Sequence, residues 1–345
     1  MPFDPSTFDP DAAAPAESGL YGLPFSPEES HVVVIPVPFE ATTSYGGGTS
    51  DGPSAVLEAS KQVDLFDHET GEPYRAGIAM LPISPEVLDW SRIGMRLAGP
   101  VIEAGGAGDD PAMRRAVAEV DALGERVNDW VCAETTRWLG AGKMPVVLGG
   151  DHSVPFGAIR AYAERHPGLG ILHLDAHADL RDAFEGFRWS HASIFHNVMT
   201  RIPQVGKLVQ VGIRDLGRAE RAMIDGSGGR IVAFYDPDIA VRRERGTGWA
   251  AIADEIVAQL PDTVYLSWDI DGLDPTLCPG TGTPVPGGLS WNDAVGLLRA
   301  LVRAKKRIVG LDLCEVSPGA TEWDANVGAR LLYKMIGFAL MSQGR

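Results

Sequence analysis

The sequence predicts an α/β fold, a mostly parallel sheet lying between helical layers. Short β-branched and aliphatic runs recur at 31–37, 145–148, 170–174, 208–213, 231–235, 264–270 and 308–313. Each is continuously apolar rather than alternating, which suits strands covered on both faces. Longer stretches with apolar residues at helical spacing separate them. Strand and helix patterns alternate to the end of the chain, the order of a sheet built from βα units.

Taken in order, residues 1–28 are rich in Pro, Ala, Ser and acids without periodicity, and such composition buries too little to offset ordering entropy. They read as an N-terminal arm, flexible or docked on a neighbouring subunit. Residues 29–345 contain no repeat and no polar linker, so they read as a single domain. The clearest helix places Met113, Ala116, Val117, Val120, Leu123, Val127, Trp130 and Val131 at spacings of three and four, the stripe of a helix packed on a sheet. The run at 145–148 enters a glycine turn and then a helix, and 327–341 reads as a last long helix. In such sheets ligands gather beyond the carboxyl ends of the strands.

Composition narrows the function. The chain has 345 residues, with 30 Lys plus Arg against 46 Asp plus Glu, a formal charge of -16. That length allows one large or two medium domains. So acidic a surface repels phosphate backbones and anionic lipid, and it attracts a cationic small molecule. Cys132, Cys278 and Cys314 lie far apart, without a C-x-x-C pair, which points to a reducing compartment. The first thirty residues carry six acids and no Lys or Arg, unlike a secretory signal. No stretch approaches the roughly 18 apolar residues of a membrane span. A cytoplasmic protein without nucleic-acid or membrane partners is expected.

Six of the eight histidines fall between His152 and His196. In Gly149-Gly150-Asp151-His152-Ser153, a helix-capping turn accounts for Asp151 and Ser153 but leaves His152, at a strand's carboxyl end, unexplained. The next strand ends in His173-Leu174-Asp175-Ala176-His177-Ala178-Asp179. If the extended conformation continues, period-two alternation brings Asp175, His177 and Asp179 to one side. Bare carboxylates placed side by side are costly unless a cation neutralises them. Ser267-Trp268-Asp269-Ile270-Asp271-Gly272-Leu273-Asp274-Pro275 repeats the device, with Asp269 and Asp271 on one face and Asp274 stabilising a turn. Two histidines and four aspartates are oxygen-rich, unlike structural zinc sites. Two divalent ions nearly balance four aspartates and a hydroxide.

These segments, together with Ser190-His191-Ala192-Ser193, occur in the order found in the ureohydrolases, and the chain resembles that arginase and agmatinase family from about residue 31 onward. The resemblance implies a three-layer α/β/α sandwich about an eight-stranded sheet, one strand more than the apolar runs supply, often assembled as homo-oligomeric trimers or hexamers. It implies that His152 and Asp179 bind one metal, that His177 and Asp271 bind the other, and that Asp175 and Asp269 bridge. It also implies that His191 shuttles protons and that Glu315, in Leu313-Cys314-Glu315-Val316-Ser317-Pro318, holds a guanidinium group. The expected reaction is hydrolysis of a guanidino or amidino compound to urea and an amine or ammonia.

Arginases follow their Asp-x-His-x-Asp run with an asparagine and a serine-rich loop. Here Leu180-Arg181-Asp182-Ala183-Phe184 follows instead, similar to the agmatinase branch, so arginase and guanidino-acid hydrolysis are less favoured. Residues 41–52 are similar to the guanidine-hydrolase branch, in which nickel (Ni2+) replaces manganese (Mn2+). The alternative from another class is a catalytically silent or accessory subunit of a hetero-oligomer, which has no need to keep all six ligands, His191 and Glu315. A zinc deacetylase on the same fold would need adjacent histidines, absent here. Gly48-Thr49-Ser50-Asp51-Gly52 matches G-x-S-x-G but lies too far past its strand for a nucleophile elbow. His166 reads as a helix ending, His173 as a packed residue supporting the ligands, and His196 carries no role. Of Trp189, Trp268 and Trp323, at least two are expected in the core rather than the pocket.

Overall fold

The structure is a computed structural model that describes residues 8–43 and 45–345. The first seven residues of the expected arm, and Ser44 within the 41–52 segment, lie outside the described residues.

β1 (Val32–Val37) is buried throughout and pairs with β2 (Ile78–Met80) on one side and β3 (Met144–Gly149) on the other. β4 (Leu169–Leu174), β5 (Val205–Ile213), β6 (Ile231–Tyr235), β7 (Thr263–Asp269) and β8 (Arg307–Cys314) complete the sheet. All pairings are parallel, in the order β2-β1-β3-β8-β7-β4-β5-β6. The eighth strand, not foreseen from the apolar runs, is β2. It has three residues on the sheet edge, too few to show periodicity.

The continuous apolar runs are explained by what covers them. Val32 and Val34 of β1 enter the core cluster on one face, whereas Val33 and Ile35 enter the cluster on the other. The first face is covered by α1 (Gly52–Ser60), α7 (Asp236–Glu244), α8 (Trp249–Ala258), α9 (Trp291–Arg303) and α10 (Trp323–Ser342). The second is covered by α2 (Pro85–Glu103), α3 (Pro111–Gly140), α4 (Phe156–Arg165), α5 (Ile194–Arg201) and α6 (Arg218–Gly226). Three layers result. Asp110 caps α3 by accepting from the Ala112 and Met113 amides, which satisfies amides that have no partner within the helix. The inward stripe begins at Val120, since Met113, Ala116 and Val117 are only partly buried.

One close contact supports the site directly. A Cβ on Gly157 would stand 2.0 Å from the Asn128 carbonyl oxygen, so α4 approaches α3 this closely only with glycine there. Asn128 then bridges the two: its Oδ1 accepts from the Gly157 amide at 2.9 Å, and its Nδ2 donates to the Ser153 carbonyl at 3.1 Å. The turn carrying His152 is thereby held from below.

Within the segment read as an arm, Leu20, Tyr21 and Leu23 are buried in the chain's own core, and Tyr21 Oη donates to the Ala329 carbonyl. The three cysteines are buried and form no disulfide. No helix among the described residues is long and apolar enough to cross a membrane.

Candidate active site

β3, β8, β7 and β4 lie side by side at the centre of the sheet. The chain passes from β3 to β4 over two intervening strands, and such reversals of strand order open a crevice beyond the carboxyl ends. The residues at or just after the ends of these four strands, His152, Glu315, Asp269 with Asp271, and Asp175 with His177 and Asp179, meet there.

Asp175 stands at the centre. Its Oδ2 lies 3.1 Å from His152 Nδ1 and its Oδ1 lies 3.4 Å from His177 Nδ1. His152 Nδ1 also faces Asp179 Oδ2 at 3.3 Å and Asp269 Oδ2 at 3.5 Å, while His177 Nδ1 faces Asp271 Oδ2 at 3.0 Å. Two clusters sharing one carboxylate result. The extended-chain argument reaches the right convergence by the wrong local geometry. β4 and β7 stop at Leu174 and Asp269. Asp179 then has a left-handed φ of 53°, and Asp269 accepts the Asp271 amide at the start of a single 3-10 turn, Ile270–Gly272. Turns, not pleats, aim these carboxylates.

The electrostatics are those of crowded anions. Burial and then the Asp175 charge push Asp179 up to about 7, and burial with neighbouring aspartates raises Asp269 and Asp271. Against burial, Asp271 and Asp175 push His177 up to about 12, and hydrogen bonds to Asp175, Asp179 and Asp269 raise His152. Protons on two imidazoles thus stand where stronger cations would relieve four buried carboxylates. His152, His173, Asp175 and Asp179 offer imidazole nitrogens and carboxylate oxygens within 4.8 Å of one another, and so do Asp175, His177 and Asp271, a donor type that suits divalent transition ions.

Glu315, with φ of 63°, is buried and turned back beneath this cluster, and its Oε1 accepts the His152 amide at 2.8 Å. Burial, Asp269 and Asp151 raise it above the usual carboxylate range, so a cation beside it would be well compensated. His191 opens a short 3-10 turn, His191–Ser193, its Nδ1 3.4 Å from Thr42 Oγ1. Burial and the His177 charge lower it to about 4, leaving the ring neutral at pH 7. A cavity of about 160 Å³ reaches His177, Asp179 and His191, with Arg181, Phe184 and Asp215 on its walls.

His173 Nε2 donates to Asp175 Oδ2 at 2.8 Å, because its Nδ1 accepts from Gln210 Nε2 at 3.0 Å, and burial lowers it to about 4. Asp274 accepts from Thr276 in a surface turn. Trp189 and Trp268 are buried, whereas Trp323 is exposed.

Several supports escaped the sequence reading. Arg214 donates to the Gly212, Asp271, Leu273 and Val285 carbonyls and gathers the turn bearing Asp271. Buried Glu220 accepts the Leu180 and Gly217 amides. Buried Glu40 accepts the Gly48 and Ser50 amides and shapes the glycine loop containing the G-x-S-x-G match. Ser267 Oγ sits 3.0 Å from His152 Nε2 and donates to Asp312 Oδ1. Asp151 accepts from Ser153, as expected of a polar turn, and also from the distant Ala41 amide.

Known proteins are similar to this chain in sequence and in fold. Residues 30–337 match the arginase family. The N(1)-aminopropylagmatine ureohydrolase of Thermus thermophilus is 36% identical over 317 residues, 92% of this chain and 93% of that protein. The proclavaminate amidinohydrolase of Streptomyces clavuligerus is 33% identical over 325 residues, 90% of this chain and 91% of that one. The agmatine ureohydrolase structure of Thermoplasma volcanium shares the fold, with a TM-score of 0.72 at 24% identity, covering 95% of this chain and 96% of that chain. Fold and relatives define a hydrolase of carbon–nitrogen bonds, of the ureohydrolase class. The chain belongs to the arginase family.

Proposed function

We propose that the protein hydrolyses an agmatine-like, cationic guanidino compound to urea and an amine, with His152, Asp175, His177, Asp179, Asp269 and Asp271 holding two divalent ions. The carrying observation is the pair of clusters that share Asp175. Two such ions, when bound, supply hydroxide at neutral pH and offset developing negative charge.

The chain's own residues do the rest. Glu315 pairs with the planar guanidinium through charge-assisted hydrogen bonds and fixes the carbon for attack. Addition of hydroxide makes that carbon tetrahedral. Neutral His191 accepts the hydroxyl proton and delivers it to the leaving nitrogen. The carbon–nitrogen bond then breaks, the carbonyl of urea forms and the amine departs. Exposed Asp215, on the cavity wall, favours a substrate whose far end is also cationic.

Similarity to relatives named N(1)-aminopropylagmatine ureohydrolase supports this reading. Urea release from agmatine, aminopropylagmatine, guanidine, guanidinobutyrate and arginine, measured after loading with manganese and with nickel, tests this reading. Agmatine or its aminopropyl derivative is expected to lead, and urea from none of the five overturns it. The reading includes a catalytic domain over residues 29–345 and a homo-oligomer, trimer or hexamer, which sedimentation velocity checks.

A further inference from the structure

At the opposite end of the sheet lies a cavity that the reaction does not use. It has a volume of about 370 Å³ and sits where β3 and β8 begin, beside Met144 and Arg307. Lys143, Arg165, Arg307 and Arg345 line it together with His31 and His166, and no Asp or Glu among the described residues does. This is unexpected in a chain with 46 acids. None of the four cations makes an ion pair among the described residues, and Lys143 Nζ is held only by the Glu28 carbonyl.

The two histidines report the local field. Burial first, then Arg345 and Lys143, lower His31, and burial, then Arg307 and Arg165, lower His166. His31 Nε2 is buried without a hydrogen-bond partner among the described residues. Neutral imidazoles at this wall can donate an N–H while the guanidinium groups supply paired donors, the combination that recognises a compact oxyanion. The net charge of -16 repels anions from the molecule as a whole, so an anion held here must be captured by this local cluster.

We infer that the cavity between Lys143, Arg165, Arg307 and Arg345 is a binding site for a small multivalent oxyanion of the phosphate class. The inference does not depend on the proposed reaction. The occupant joins the starts of β3 and β8, the strands whose far ends carry His152 and Glu315.

Calorimetric titration of inorganic phosphate, and separately of sulfate, into the full chain at low ionic strength tests it. Sulfate is included because it coordinates divalent ions weakly, so its binding cannot come from the acidic site. One saturable site per chain is expected for both. Lys143→Glu/Arg307→Glu should weaken it at least about tenfold, the loss expected for charge-assisted contacts. Arg115→Glu, on the exposed side of α3, should leave it unchanged. Arg165→Glu gives the same reading if the double variant fails to fold. Absence of saturable sulfate binding, or equal binding by the wild type and the cavity variants, overturns the proposal.

Discussion

The two ends of the central strands carry opposite charge. Beyond the carboxyl ends of β3, β4, β7 and β8 lie Asp175, Asp179, Asp269, Asp271 and Glu315, all buried. Beyond the amino ends of β3 and β8 lie Lys143, Arg165, Arg307 and Arg345 around an open cavity. A single net charge describes neither end. The acidic end is buried and bound by hydrogen bonds from turns, so its groups shift strongly. At the basic end Arg165, Arg307 and Arg345 are exposed and Lys143 is half-buried. Local burial, rather than the total of acids and bases, decides where charge is useful.

Changes at the acidic end should have the largest effects. Asp271→Asn removes a carboxylate that faces His177 and accepts the Ala176 amide. It should lower bound metal and urea release together, the latter at least about 100-fold, as elemental analysis alongside a urea assay will show. His191→Ala should keep the metal and reduce kcat by about 10² to 10⁴-fold. Loss of metal in that variant would mean that His191 belongs to the cluster rather than to proton transfer.

The pH dependence of the metal-free protein sharpens the contrast further. Asp179 is pushed from an ordinary 3.8 up to about 7 in the folded chain, so the folded state binds the proton more tightly than the unfolded state. Its contribution is present in full below about 4 and is lost as the pH rises through 7. Tm should therefore fall more steeply between pH 4 and 7 in the metal-free wild type than in Asp179→Asn, and metal loading should flatten the wild-type curve. Parallel Tm curves would show that the carboxylate is not held against its charge.

A smaller effect is expected from Arg214→Ala, which leaves the carbonyls of the Asp271 turn without their common donor. Charge-assisted bonds of this kind suggest a loss of about 2–3 kcal/mol, readable by denaturant unfolding. The smallest effect belongs to the other end of the sheet. Lys143→Glu/Arg307→Glu should leave urea release within about twofold, because neither residue approaches the acidic site.

Six of the strands were legible because each is a largely buried apolar run covered on both faces, and the edge strand β6, only partly buried, was legible because its five residues still form a β-branched and aromatic run. β2, with three edge residues, left no pattern. The ligand types were legible because they follow their strands directly, within five residues of Leu174 and two of Asp269. Of their supports, His173 was legible and most others were not. Glu40, Asp151, Arg214, Glu220 and Asp312 act on groups brought near by topology, as when Asp151 takes an amide 110 residues away. Nothing local in the sequence separates such buried polar residues from surface ones. Strand and turn alike leave the carboxylates at the same strand end, so alternation leads to the correct convergence even though the chain turns after Leu174 and Asp269.

The central claim is one acidic site built for two ions around Asp175. Titrating manganese into chelator-treated protein while following urea release from agmatine or its aminopropyl derivative tests it most directly. Activity should rise from zero and saturate at two ions per chain. Saturation at one ion, or urea release that survives complete removal of metal, would contradict the account.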